Sequence, residues 1–231
     1  MSKRIDCGRI VYGYWRSSAF GRVHIALNLK GLDFEFRPVS LLDDEQRSRK
    51  YLAINPQGLV PTLMDKQTTM SQSLPIMEYL DDMYPFPQIM PNDVFARARV
   101  RTLANIIACD IHPLQNLRVK NALLHHDRMY QFAESGLKRV GDERWGTWCK
   151  EWICSGFDAL ETLLSESTGT FCFGDSPTIA DCCLIPQVHN AKRFKCDLEP
   201  YWRIRGVYEN CMQLEAFQKA APENQPDAPK A

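Results

Sequence analysis

Lysine and arginine number 28 in this 231-residue chain and so do aspartate and glutamate, so charge of one sign is missing. With a formal net charge of zero, no global field draws the protein to nucleic acid or to an anionic membrane, and neither is expected as a partner. Long hydrophobic runs are missing too. No stretch reaches the roughly 18 uninterrupted apolar residues of a membrane span, and Met1-Ser2-Lys3-Arg4-Ile5-Asp6 lacks the apolar centre of a signal peptide, so the expected location is the cytoplasm. The nine cysteines are odd in number and contain no Cys-x-x-Cys. With His24, His112, His125, His126 and His189 they form none of the usual ligand spacings, so neither a disulfide framework nor a metal site is expected. Cys109, Cys149, Cys154, Cys182 and Cys183 fall in apolar helical patterns and read as reduced core fillers, and His125-His126 as a solvated pair. No period of about 20 to 50 residues recurs, which argues against a repeat architecture.

What remains is an ordinary globular composition, 45% hydrophobic, with length for one large or two modest domains. Gly8 to Tyr12 reads as a strand, Phe20 to Leu29 as a helix stopped by Lys30-Gly31, and Phe34 to Val39 as a second strand. Such a β-α-β unit should have parallel strands. Asp43 to Ile54 reads as a charged helix ending at the turn signal Asn55-Pro56-Gln57-Gly58. Leu59 to Met64 is strand-like, Asp65-Lys66-Gln67 a hairpin turn, and Gln72 to Leu80 a helix with Pro75 in its first turn. Prolines crowd Tyr84 to Asn92, predicting a linker at 85–91 between a first domain, 1–84, and a second, 92–221. In the second, Phe95 to Leu117, Trp145 to Leu164 and Ile179 to Arg193 carry apolar residues at helical spacing, so an all-helical bundle should follow the α/β part. Thr178-Ile179-Ala180-Asp181 is a capping-box pattern suited to starting a core helix. The tail 222–231, rich in proline and polar residues, is expected to be loosely held.

Most of the chemistry lies in Tyr14 to Leu27, where a strand runs into a turn carrying Ser17 and Ser18 and a helix opens behind them. A helix N-terminus presents unpaired N–H groups and the positive end of the dipole, a setting that stabilises an anion such as a thiolate. Taken alone, the pattern suits a plain N-cap better than a catalytic hydroxyl. Pro61 is either an edge-strand residue or a cis-proline that turns the Val60 backbone toward a peptide-like ligand. Gln72-Ser73 offers polar groups suited to the α-amino-acid end of a small ligand, although Ser73 as a cap is the simpler account. Asp110 to Arg118 gathers polar residues around Pro113, which fits a kink facing a cleft or a surface bend.

Together the β-α-β unit, the Val60-Pro61 bend, the hairpin, the helix opened by Gln72-Ser73 and the helical second half resemble the cytosolic glutathione transferases over nearly the whole chain. More narrowly, four segments resemble the zeta class, which includes maleylacetoacetate and maleylpyruvate isomerases: Arg16 to Leu27, Asn55 to Leu63, Gln72-Ser73-Leu74 and Asp110 to Asn116. The resemblance implies a thioredoxin-like N-terminal domain, an all-helical C-terminal domain, glutathione as cofactor and a homodimer. It implies that Ser17 hydrogen-bonds the glutathione sulfur, with Ser18 as a neighbouring catalytic donor, and that Ser18, Ala19, Phe20, Gly21 and Arg22 line the cofactor. Val60 would pair with the cysteinyl backbone and Gln72 and Ser73 would hold the γ-glutamyl end. Gln46, His112, Asn116, Leu117 and Arg118 would complete the pocket, and Arg16, Arg118 and Arg193 would hold a dicarboxylate substrate. The sequence departs from the family pattern at Ala19, where cysteine is common, at Gly21, where an aromatic is frequent, and at His24, where arginine is usual.

The activity so implied is the glutathione-dependent isomerisation of 4-maleylacetoacetate to 4-fumarylacetoacetate in tyrosine and phenylalanine breakdown. A free thiol, with a pKa of about 8.5, needs a donor and a helix N-terminus to favour its anion. The thiolate would add to the cis double bond, rotation would follow, and elimination would regenerate glutathione; arginines would offset the enolate charge. Alternatives are maleylpyruvate isomerisation, a conjugating or dehalogenating transferase, and a non-catalytic transferase-like scaffold. The last tends to lose the sulfur-site hydroxyl that Ser17 and Ser18 supply here.

Overall fold

The computed structural model describes residues 8–130, 142–167 and 169–229, and of 124–130 and 142 the backbone only, so the side chains of His125 and His126 lie outside the described set. Strand β1 (Arg9–Gly13) pairs in parallel with β2 (Glu35–Pro38), Ile10 opposite Glu35. On its other side it pairs antiparallel with β3 (Thr62–Asp65), Val11 opposite Leu63, and β3 returns through Lys66 and Gln67 as β4 (Thr68–Ser71). The order β2-β1-β3-β4 is that of a thioredoxin-like sheet. Helix α1 (Ser18–Leu29) connects β1 to β2 and buries Phe20, Val23 and Leu27 with Val11 and Leu63. Gly13 ends β1 because a Cβ there would collide with the Phe20 ring, which stacks on Phe36 at 4.9 Å between centroids.

The helix expected over Asp43 to Ile54 is broken. Asp44 is left-handed (φ 55°), a single 3-10 turn spans Glu45–Arg47, and extended Ser48 caps Tyr51 N–H to open a separate short helix, α2 (Arg49–Leu52). A serine that bonds nearby backbone N–H groups competes with continuous helix. Helix α3 (Ser73–Met83) is tied to α1 by buried Lys30, whose Nζ meets Asp81 Oδ1 at 2.7 Å and donates to the carbonyls of Tyr84 and Pro87.

The second half is helical. The helical pattern from Phe95 to Leu117 resolves into α4 (Val94–Asn105), a π turn (Ile106–Ile111) and a 3-10 turn (His112–Gln115) before α5 (Leu117–Tyr130), so the break falls at the polar segment around Pro113 where a kink or a surface bend is expected. Proline at 113 cannot donate into a continuing α ladder. Gln115 and Trp148 pin the bend through Gln115 Nε2 to Gln187 Oε1 (2.7 Å) and Trp148 Nε1 to Leu114 O (2.8 Å). Helices α6 (Asp142–Leu164), α7 (Ile179–Arg193), α8 (Trp202–Met212) and α9 (Glu215–Lys219) follow. Helix α7 is the core of the bundle, buried continuously from Ile179 to Val188, and it packs against α1. The Thr178–Asp181 capping box is formed. No helix among the described residues is long and apolar enough to cross a membrane.

Cys149, Cys182 and Cys183 are buried, but Cys154 is only half-buried and Cys109 is exposed, because the π turn directs Ile107 and Ile111 into the core and Cys109 away from it. The tail is not loose over its described part: Gln225 is buried and donates to the carbonyls of Lys219 and Ala221, and Asp227 Oδ2 accepts Trp15 N–H at 2.9 Å. Its polar side chains find backbone partners, which composition does not show.

His24 sits between the rings of Phe20 (5.4 Å) and Phe34 (5.1 Å), and burial pushes its pKa down to about 4. The imidazole is therefore neutral near pH 7. Because the folded pKa lies below the unfolded value of about 6.5, the unfolded chain binds more protons between pH 6.5 and 4, and stability falls as pH falls through that window. The slope is about 1.4 kcal/mol per pH unit for one such group. Urea titrations of wild type and His24→Gln across this range should show the shallower decline in the variant; parallel curves would exclude His24 as a contributor.

Candidate active site

Ser17 ends the β1–α1 turn in an extended conformation (φ −76°, ψ 113°), and its Oγ accepts Phe20 N–H at 3.3 Å. The capping bond uses a lone pair and leaves the hydroxyl proton to donate elsewhere. Cap and donor are thus one residue in two roles. Ser18 behaves differently: it is buried, and its Oγ accepts from Asn190 Nδ2 of α7 at 2.7 Å.

A groove of about 590 Å³ runs from Ser17 along the sheet edge. One wall is Val60 and Pro61, joined by a cis peptide bond, with Gln72 and Ser73; the other is the His112 to Arg118 bend. At its inner end the Arg22 guanidinium, 2% exposed, donates from Nη1 to Ser73 Oγ (3.2 Å) while Nε and Nη2 have no partner. Burial lowers the Arg22 pKa. A buried cation with unmet donors favours a carboxylate arriving there. The N-terminus of α3 points the same way, since Gln72, its N-cap at φ 73°, makes no side-chain cap bond and instead donates Nε2 to Gln57 Oε1 (2.7 Å). Gln46 lines the groove with a buried Oε1 that has no partner, available to an N–H donor. Burial and then the charges of Arg22 and Arg118 push His112 down to about 3, so it is neutral across the physiological range.

A second cavity of about 600 Å³ meets the groove at Ser17, His112 and Asn116. Arg16, Arg193, Lys120 and Lys195 line it against one acid, Glu143. The Arg193 guanidinium carbon lies 4.4 Å from the Phe194 ring centroid and that of Arg16 5.3 Å from the Trp15 ring, and the Arg193 pKa is lowered by desolvation and then by Arg16. Two guanidinium groups that repel each other favour an anion between them.

Of the residues anticipated from sequence, Ser17, Ala19, Arg22, Gln46, Val60, Gln72, Ser73, His112, Asn116, Leu117 and Arg118 all line the groove. Phe20 and Gly21 do not: Phe20 is in the sheet core, and Gly21 lets α1 approach α7, where an added Cβ would lie 3.3 Å from Pro186. Ser18 is turned to α7 as well. Side chains on a helix rotate by about 100° per residue, so consecutive residues cannot all face one groove; Ala19 and Arg22, three apart, can. Arg118 lines the groove, apart from the cavity shared by Arg16 and Arg193. Asn190, Lys120 and Lys195 were missed as cavity residues. Asn190 had a signal, a polar residue three after Gln187, the single polar position in the stretch 182–188 of that helix, whereas Lys120 resembles any solvated lysine.

A thioredoxin-like sheet with a hydroxyl at the N-terminus of its first helix, an open carboxylate site at its third, and an all-helical partner domain defines a glutathione transferase. The chain belongs to the glutathione S-transferase family: residues 11–88 match its N-terminal domain and 155–213 its C-terminal domain. It is 43% identical to maleylpyruvate isomerase of Ralstonia sp, over 94% of this chain and 99% of that one. It is likewise 43% identical to maleylacetoacetate isomerase of Mus musculus, over 95% of each. A solved maleylacetoacetate isomerase from Anaeromyxobacter dehalogenans 2CP-1, with dicarboxyethyl glutathione and citrate in its active site, superposes with a TM-score of 0.80 at 39% identity, covering 96% of this chain and 94% of that one.

Proposed function

We propose that this chain is a zeta-class glutathione-dependent isomerase that converts 4-maleylacetoacetate to 4-fumarylacetoacetate. The observation that carries this is the place of Ser17 on the shared wall of two spaces, one built for a peptide-like acid and one bounded by Arg16 and Arg193. The groove fits glutathione on its own chemistry: unmet donors of Arg22 and the uncapped α3 N-terminus for a carboxylate, and the unmet Gln46 Oε1 for an N–H. When bound there, glutathione supplies a nucleophilic thiolate that can add to an electron-poor alkene and leave again. Ser17 O–H and the N–H groups opening α1 hold sulfur as the anion. Arg16 and Arg193 hold substrate carboxylate and offset charge that develops on the neighbouring carbonyl. Asn190 positions Ser18, and with it the first turn of α1, from the helical domain.

The test is a maleylacetoacetate isomerisation assay with and without glutathione; a rate independent of glutathione would end this reading. Arg193→Ala should lower kcat/KM by about 30- to 100-fold, the equivalent of about 2–3 kcal/mol for a hydrogen bond to a charged group, mostly through KM. Unchanged constants would remove Arg193 from the carboxylate site. Maleylpyruvate is the second reading, favoured by the equal identity to the Ralstonia enzyme, and kcat/KM for the two substrates side by side decides between them. We also read the protein as a cytoplasmic homodimer. Exposed Phe86, Val94 and Phe95 at and before the start of α4 support burial against a second copy, and sedimentation velocity would report it.

A further inference from the structure

Position 19 carries alanine where the family commonly has cysteine, yet a different thiol reaches the same groove. We propose that Cys109 is a thiol–disulfide exchange site for glutathione disulfide, through which oxidised glutathione reversibly closes the groove. The inference rests on the reading of that groove as a glutathione site. Cys109 lies on the π turn between α4 and the His112 bend and lines the cavity together with Ser17, Arg22, Val60 and Ser73. Among the described cysteines it alone is exposed; the others are buried or half-buried, and all are free. Its one hydrogen bond is weak, Sγ to Asn105 Oδ1 at 3.7 Å, so little holds the sulfur back from an incoming disulfide.

A second observation shows what would bring the disulfide there. Arg22 is 2% exposed, lines the same cavity and leaves Nε and Nη2 unpartnered, so the groove contains a buried receptor for a carboxylate. Arg22 and Cys109 are electrostatic neighbours, and Arg47 and Arg118 line the same space. Glutathione disulfide carries several carboxylates, which such a cationic groove can pair. At about 590 Å³ the cavity is of a size that holds small ligands.

In the exchange, Cys109 loses its proton to solvent and its thiolate attacks one sulfur of the disulfide. A Cys109–glutathione S–S bond forms, the original S–S bond breaks, and the second glutathione leaves as a thiolate that takes up a proton. The cysteine is oxidised and the departing half reduced, with no other reactant. The tethered glutathionyl group then fills the space that free glutathione would use, and a small thiol reductant reopens it.

The experiment treats the reduced full-length protein with glutathione disulfide and reads intact mass, peptide maps and isomerase rate. Expected is one glutathionyl adduct per chain, on Cys109, suppressed by S-methylglutathione and reversed by dithiothreitol, with loss of most of the initial isomerase rate, which recovers as the glutathione of the assay reduces the adduct. Cys109→Ala should remain unmodified and keep its own untreated rate. An adduct on Cys7, Cys154 or Cys196 with Cys109 free, or a Cys109 adduct that S-methylglutathione does not suppress, would overturn the proposal. Calorimetry with S-methylglutathione on the same preparation separates the two ideas: binding without a Cys109 adduct removes the exchange site and leaves the groove reading, whereas no binding removes both.

Discussion

Ser17→Ala should turn over maleylacetoacetate about 10²-fold more slowly, with little change in glutathione affinity. Ser17 is one donor among many contacts along the groove, so binding survives its loss; the anion at the helix N-terminus does not survive equally. Removing a donor aimed at a reacting anion costs about 2.7 kcal/mol or more in a site that excludes water, and half-exposed Ser17 belongs at the low end. The substitution also deletes the cap on Phe20 N–H, about 1 kcal/mol of stability, so a second variant is needed to separate the effects. Ser17→Thr keeps both the hydroxyl and the cap and should restore most of the rate. Without the hydroxyl the bound thiol ionises at higher pH, so the alanine variant should regain rate as pH rises through the range where wild type is already flat. A kcat equal to wild type would transfer the role to another donor, and buried Ser18, engaged by Asn190, is the one to test next.

Asp181→Ala should lower unfolding free energy by about 3–5 kcal/mol, measured by urea titration. Asp181 is fully buried at the start of α7 and accepts Cys172 N–H (2.8 Å), Thr178 N–H (2.7 Å) and the Thr178 hydroxyl (2.9 Å). Burial raises its pKa, and those hydrogen bonds oppose the rise, so the carboxylate depends on them and they on it. Alanine leaves every donor buried and unmet. Asp181→Asn should lose less, because one acceptor oxygen remains, and Thr178→Ala should cost only about 1 kcal/mol as an ordinary cap loss. Since α7 carries Asn190 and Arg193 into the site, well below its unfolding temperature Asp181→Ala should retain kcat; a variant that folds stably but loses turnover would show that Asp181 does more than start the helix.

Much of the site was legible because its signals are local. A serine before a helix, a proline after a valine in a strand-like run and a polar pair before a second helix each depend on a few neighbouring residues, and Ser17, Val60, Gln72 and Ser73 all line one groove. Helix α7 follows the Ile179 to Arg193 pattern because a capping box starts it and apolar residues line nearly every face. Reading failed in two ways. Locally, a cap at Ser48 and left-handed Asp44 break the Asp43 to Ile54 pattern that charge spacing suggested. Elsewhere a distant partner decides: Gly21 answers to Pro186, 165 residues away, and Asp227 answers to Trp15.

By itself the sequence determined the elements and their chemistry: strand and helix periods, caps, and which residue types stand at each helix opening, since these follow from backbone geometry over a few residues. Only the tertiary structure decided that Arg22 is buried with donors to spare, that Arg16 meets Arg193 while Arg118 faces the groove, and that Cys109 looks into the groove rather than the core. Burial and charge proximity are properties of space, set by which faces pack together, and no local pattern encodes the partner's position.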